Sequence, residues 1–225
     1  MTEPTRLVFS DVDETLIRAK SMFEFLAFYL VERLGPAGRE LAASVRRDLL
    51  AQAAAGVPRA ETNRAYYRAW TGAEVRDVVL AGRRWFDAGR RRPAFFHADV
   101  LAALRAHRAA GAHLVLVSGA FAPIVEPIAR SIGARHVEVT RLEVRDGRYT
   151  GELLGPPVIG EVKGERVRAL LHAYPAVPAE DCYAYGDHIS DLPMLAEVGH
   201  PVIVGDDPAL PARLPGAPVL AGAMT

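Results

Sequence analysis

The stretch Arg6-Leu7-Val8-Phe9-Ser10-Asp11-Val12-Asp13-Glu14-Thr15-Leu16 constrains this chain more than any other. Leu7, Val8 and Phe9 form an uninterrupted apolar run, the pattern of a strand buried on both faces. The run ends in Asp11 and Asp13, which an extended backbone points to the same side. Like charges this close repel and perturb each other's ionisation, so the pair calls for a cation or a shared proton. Several devices answer that description: a solvated acidic loop, an Asp cap on the next helix, a metal-holding pair in a sugar-nucleotide transferase, the phosphoacceptor of a signalling receiver, or an aspartate nucleophile. A calcium loop would need Gly at its sixth position and Glu at its twelfth. Counted from Asp11 those positions hold Leu16 and Met22, which excludes it.

From Lys20 to Arg92 the pattern is helical throughout. Phe23, Leu26, Leu30 and Leu34 recur at helical spacing until Gly35-Pro36, and Leu41, Val45 and Leu49 continue in a second helix closed by Gly56-Val57-Pro58. A third helix over 60–70 carries Tyr66, Tyr67 and Trp70, a stripe that either packs into a core or lines a pocket for a ring or sugar. A fourth is expected over 73–89, with Arg90-Arg91-Arg92 as its solvated end. These residues, 19–93, read as a helical bundle inserted into a domain made of 1–18 and 94–225. Beyond it, strands and helices alternate. Strands are expected over 113–117, 135–140, 182–185 and 201–204, with a hairpin turning at Asp146-Gly147 and helices over 97–110, from Phe121, and over 162–173. The tail from Pro208, rich in Pro, Gly and Ala, is expected to be loosely ordered. Such alternation implies an α/β fold, a Rossmann-like doubly wound parallel sheet, with ligands at the carboxyl ends of its strands.

Charge narrows the partners. Lys+Arg and Asp+Glu both total 27 in 225 residues, so the net charge is zero and neither nucleic acid nor an anionic membrane is expected as partner. The single cysteine, Cys182, excludes an internal disulfide and fits a reducing, cytoplasmic setting. No apolar run reaches membrane-spanning length, and the start lacks a signal-peptide layout. The histidines show no zinc-ligand spacing, and His188 reads as a loop residue beside Asp187. Only Lys20 and Lys163 are lysines in a chain whose other basic residues are Arg, which marks both as places where a compact ammonium matters.

Three predicted strand ends carry polar groups: Asp11/Asp13, Ser118, and Asp187/Asp191. Singly, each has an ordinary account as a cap or turn. Lys163 opens a helix, where the macrodipole disfavours a cation unless an anion is near. The ordered set is more specific. Asp-x-Asp-x-Thr after the first strand, Ser118-Gly119 after a later one, Lys163 at a helix start, and Gly186-Asp187-x-x-x-Asp191 together resemble the haloacid dehalogenase (HAD) superfamily. The helical insertion and the continuation Asp191-Leu192-Pro193-Met194-Leu195 are similar to its subfamily IB, the phosphoserine phosphatase-like branch.

That resemblance implies the HAD fold with an inserted helical C1 cap and a Mg2+-dependent phosphatase. Asp11 is then the nucleophile that forms an aspartyl-phosphate, and Asp13 the acid and base. Magnesium is held by Asp11, the Asp13 carbonyl and Asp187, with Asp191 nearby or reached through water. Ser118, the amides of Gly119 and Ala120, and Lys163 hold the phosphoryl oxygens. The implied substrate is a small phosphorylated metabolite: a sugar, cyclitol or amino-alcohol phosphate. A phosphoryl transferase or phosphomutase and a non-catalytic binding module remain alternatives, and the oligomeric state is not legible. Phosphoserine phosphatases place Glu nine residues after the nucleophile to bind the substrate ammonium; here that residue is Lys20. A cation cannot serve an ammonium, so a hydroxylated or anionic substrate is expected unless Glu24, one turn on, substitutes.

Overall fold

A computed structural model describes residues 3–221. Its centre is a six-stranded, wholly parallel sheet formed by β1 (Leu7–Ser10), β2 (His113–Phe121), β3 (His136–Thr140), β6 (Tyr183–Gly186), β7 (His200–Val204) and β8 (Val219–Leu220), in the order β3-β2-β1-β6-β7-β8. All four residues of β1 are buried, as the continuous apolar run requires of a central strand. Alternate side chains feed two cores. Val8, Leu114 and Leu116 pack with α5 (Ala98–Ala109) and α6 (Ala122–Ile132), while Leu7, Phe9, Val115 and Val117 face α7 (Glu161–Ala173) and α8 (Leu192–Leu195) on the other side. The sheet is therefore doubly wound, with helices on both faces.

Between β1 and β2 run the four expected helices: α1 (Ser21–Leu34), α2 (Pro36–Ala54), α3 (Arg59–Tyr67) and α4 (Val75–Gly89). Their buried faces differ from the predicted leucine stripes. Phe25, Leu26 and Tyr29 point inward from α1, whereas Leu34 and, on α2, Leu41 are exposed. The cause is close packing at Gly38, where an added Cβ would lie 2.0 Å from the Leu30 carbonyl oxygen. Gly38 and Ala42 form the buried face there, and it continues to Leu49, while Leu41 and Leu50 stay exposed. Tyr67 and Trp70 are completely buried and Tyr66 nearly so, within an aromatic cluster that includes Phe25 and Phe121. Tyr67 and Trp70 are core, while Tyr66, though buried, also lines the cavity described below.

The hairpin at Asp146-Gly147 joins β4 (Leu142–Arg145) to β5 (Arg148–Leu153), antiparallel as expected. It leans onto the helical segment: the Gly72 amide donates to the Tyr149 carbonyl at 2.8 Å, and Arg148 pairs with Glu74 at 2.5 Å. The tail differs from expectation. Instead of loose chain it forms a short helix, α9 (Ala209–Arg213), with Leu210 fully buried, and then β8, which adds a rung beside β7. Apolar anchors among the Pro and Gly residues account for that order. Among the described residues no helix is long and apolar enough to cross a membrane.

Candidate active site

β1 delivers Asp11 to the carboxyl edge of the sheet, where its amide still donates to the Tyr185 carbonyl of neighbouring β6 at 3.0 Å. The chain then turns sharply, Leu16 and Ile17 both donating to the Val12 carbonyl, with Glu14 in the left-handed region at φ 61°. This turn puts the Thr15 hydroxyl 2.5 Å from Asp187 Oδ1, across from the end of β6. Carboxylate oxygens of Asp11, Asp187 and Asp191 lie within 4.8 Å of one another.

Lys163, in the first turn of α7, resolves its conflict with the helix dipole by reaching into this cluster. Its Nζ lies 2.8 Å from Asp11 Oδ1 and 2.6 Å from Asp191 Oδ1, with its side chain 4% exposed. The other Asp191 oxygen accepts the amides of Asp187 and His188 at 3.2 and 3.1 Å. Asp191 is thus occupied on both oxygens: it aligns Lys163 and the Asp187 loop and has little left to offer a ligand.

The electrostatics follow from the count of charges. The carboxylates of Asp11, Asp187 and Asp191 gather at the ammonium of Lys163, and Asp13 lies buried in the same cavity. Burial raises the pKa of Asp11 against the pull of Lys163, and raises Asp187 to about 8 with help from Asp11 and Asp191. Burial would strip Lys163 of its proton, but Asp11 and Asp191 outweigh it and hold the amine charged. Asp13 is pushed up to about 7 by burial, and its Oδ1 is a buried acceptor without a partner among the described residues. A hard divalent cation that takes oxygen ligands suits this excess of negative charge. The donor set therefore fits the expected Mg2+.

Ser118 lies three residues before the end of β2, 2% exposed. Between Ser118 and Phe121 the register with β3 slips, so Gly119 and Ala120 have no ladder partners and Phe121 ends the strand rather than opening the helix. The Ala120 amide, expected to hold a phosphoryl oxygen, instead donates to Ser118 Oγ at 3.1 Å.

Asp11, Asp13, Ser118, Gly119 and Lys163 line one cavity of about 310 Å³, roofed by Met22, Phe23 and Leu49. Lys20 lines it too, paired with Glu14 at 3.2 Å. Glu24 is not among the lining residues. It pairs with Arg92 at 2.8 Å.

A family model for haloacid dehalogenase-like hydrolases matches residues 8–196. The chain belongs to that family. Over 218 residues this HAD hydrolase is 34% identical to a probable phosphatase of Mycobacterium tuberculosis, covering 94% of this chain and 74% of that protein. Its fold matches a Bordetella pertussis protein of unknown function with a TM-score of 0.82 at 27% identity, covering 97% and 99% of the two chains. It matches a substrate-bound phosphoserine phosphatase with a TM-score of 0.68 at 19% identity, covering 97% and 93%. The fold expected from the motifs agrees with these neighbours.

Reading the HAD motifs left several residues unnoticed. Thr15, quoted only as part of a motif, holds Asp187. Arg59 lines the cavity; so does His188, read from the sequence as a loop residue beside Asp187, with its Nδ1 accepting the Ser190 amide at 3.0 Å. Arg59 leaves no periodic signal. Asn63 does: it shares the buried face of Tyr66, Tyr67 and Trp70, and an amide on an otherwise aromatic stripe needs a polar partner inside.

Proposed function

We propose that this HAD hydrolase is a Mg2+-dependent phosphatase that cleaves the phosphate monoester of a small metabolite through an aspartyl-phosphate on Asp11. The observation that supports it most is the buried contact of Lys163 with both Asp11 and Asp191, beside Ser118 and opposite Asp187. The likeness to a probable phosphatase along nearly the whole chain supports it as well.

In this reading Asp11, the Asp13 carbonyl and Asp187 hold the Mg2+, which neutralises the repulsion between a phosphate dianion and a carboxylate nucleophile. Asp11 attacks phosphorus as the P–O bond to the alcohol breaks. The leaving oxygen takes its proton from Asp13, whose pKa near 7 suits a group that must both give and accept a proton. Water then attacks phosphorus, returns a proton to Asp13, and releases inorganic phosphate with Asp11 regenerated. Ser118, Gly119 and Lys163 bind the phosphoryl oxygens throughout. The cavity of about 310 Å³ suits a small leaving group. With Glu14 tied to Lys20 and Glu24 tied to Arg92, a hydroxylated or anionic alcohol suits it better than an ammonium-bearing one.

The test is hydrolysis of a panel of small phosphate esters with Mg2+, by wild type and Asp11→Asn. Release of phosphate by the wild type and none by the variant is expected. An Asp11→Asn protein as active as the wild type rules out the covalent mechanism.

A further inference from the structure

One carbonyl at the edge of the cavity gathers an unusual number of donors. Gly119 O accepts the Tyr67 hydroxyl at 2.7 Å, the Thr140 hydroxyl at 2.9 Å and the Asn63 side-chain amide at 3.2 Å. A carbonyl oxygen has two lone pairs, so three donors fix its direction from several sides. Gly119 has room for nothing else: an added Cβ would come within 2.9 Å of the Ile159 side chain.

The same peptide is held at its other end. The N–H of Ala120 belongs to the peptide unit whose carbonyl is Gly119 O, and it donates to Ser118 Oγ at 3.1 Å. A planar peptide transmits orientation rigidly from one end to the other. The hydroxyl of Ser118 then has one acceptor lobe filled, with its own O–H left to donate.

We infer that Tyr67, Asn63 and Thr140 are positioning residues for Ser118, acting through the Gly119–Ala120 peptide to aim its hydroxyl at the transferring phosphoryl group. Two of the three sit on α3, in the segment between β1 and β2, so the seating of that helix is part of the phosphate site. Thr140 links the device to the loop before α7, because its Oγ1 also accepts the Val158 amide at 3.1 Å. Burial raises the pKa of the Tyr67 hydroxyl well above the ordinary tyrosine range, which keeps it a donor at every working pH. Donors that merely satisfy a buried carbonyl would stabilise the fold without touching Ser118, and the two roles separate experimentally.

This inference rests on Ser118 as a phosphate ligand, as proposed above. The experiment is a double-mutant cycle of Tyr67→Phe and Ser118→Ala, read as kcat/KM on the ester panel and as affinity for orthovanadate with Mg2+. Tyr67→Phe is expected to lower both by about three- to tenfold, equally for every leaving group, the scale of one hydrogen bond. In the Ser118→Ala background its effect should shrink to less than about twofold, because its target is gone. The same loss in both backgrounds overturns the inference. Thr140→Val and Thr140→Ser give a second route if Tyr67→Phe folds poorly: Val should reproduce the loss and Ser should restore function. Equal behaviour of those two variants also overturns it. A wild type that binds orthovanadate but hydrolyses no ester removes the phosphatase reading, and the cycle is then decided on orthovanadate affinity. A wild type that binds no orthovanadate removes both.

Discussion

Lys163 Nζ lies 2.8 Å from Asp11 Oδ1 in surroundings almost closed to solvent. A buried ion pair of this kind is costly to break from one side, because the abandoned charge stays in a medium that solvates it poorly. In the proposed mechanism the same contact puts a cation where negative charge gathers on a phosphoryl group.

Lys163→Met should therefore lower hydrolysis by on the order of 10²–10³-fold, the scale of losing one stabiliser of developing charge. It should also destabilise the protein by about 3–5 kcal/mol. The destabilisation should be smaller at about pH 5 than at about pH 8, since Asp11, its pKa already raised by burial, is neutralised as protons become available. Thermal melts at both pH values test this; an equal loss at each would show that the charge pair is not the cause.

Metal-free protein should lose stability as pH rises. Asp13 and Asp187 have pKa values near 7 and 8, above their ordinary 3.8, so the folded state holds protons that the unfolded state releases. Their stabilising contribution is complete below the unfolded value and disappears as pH passes the folded ones. Melting temperature in EDTA should fall from about pH 5 to about pH 8, and added Mg2+ should raise it most at the alkaline end. A larger Mg2+ effect at the acid end would contradict the charge count at this site.

In the proposed mechanism Asp13→Asn removes the proton donor to the departing alcohol. Alkyl esters, whose leaving oxygens need that proton, should slow by about 10²–10⁴-fold. An aryl ester with an acidic phenol needs less help and should slow far less. Comparing kcat/KM for the two classes decides it, and an identical loss on both would assign Asp13 some other task.

Glu24→Ala should leave the substrate ranking unchanged, because Glu24 is engaged by Arg92 away from the cavity. Lys20→Glu should shift the ranking toward ammonium-bearing esters. Both are read as relative kcat/KM across the panel. A Glu24→Ala enzyme with altered preference would mean that the Arg92 pair opens when substrate binds.

The parts of the molecule that could be read in advance are those fixed by local rules. A fully apolar run means a central strand, Asp-Gly means a hairpin, and strand–helix alternation means a parallel sheet. Asp11, Ser118, Lys163 and Asp187 were legible because each lies at or near a strand's carboxyl end or a helix start, and the topology brings those ends to one edge. Contacts made across elements were not. The face that α2 buries is decided by Gly38 meeting the Leu30 backbone, and no periodicity in either helix carries that information. The slip in β2 that frees Gly119 depends on its register with β3, a property of two strands together. For the same reason Tyr67 looked like a helix-stripe residue and Asn63 went unnoticed, though their polar atoms serve a carbonyl on another element. The order of the tail depends on Leu210 finding a place under the sheet, which its Pro-rich composition conceals.

The strand leading to Asp11 is made before either of its neighbours, which begin only at His113 on one side and at Tyr183 on the other. During synthesis β1 must therefore stay unpaired while the helices encoded between it and β2 leave the ribosome. Those helices can condense early, since their contacts are local, but the sheet cannot. A nascent chain halted before β2 would present a bare apolar strand and an unneutralised acidic turn, a form suited to chaperone capture and unable to turn over a phosphate ester.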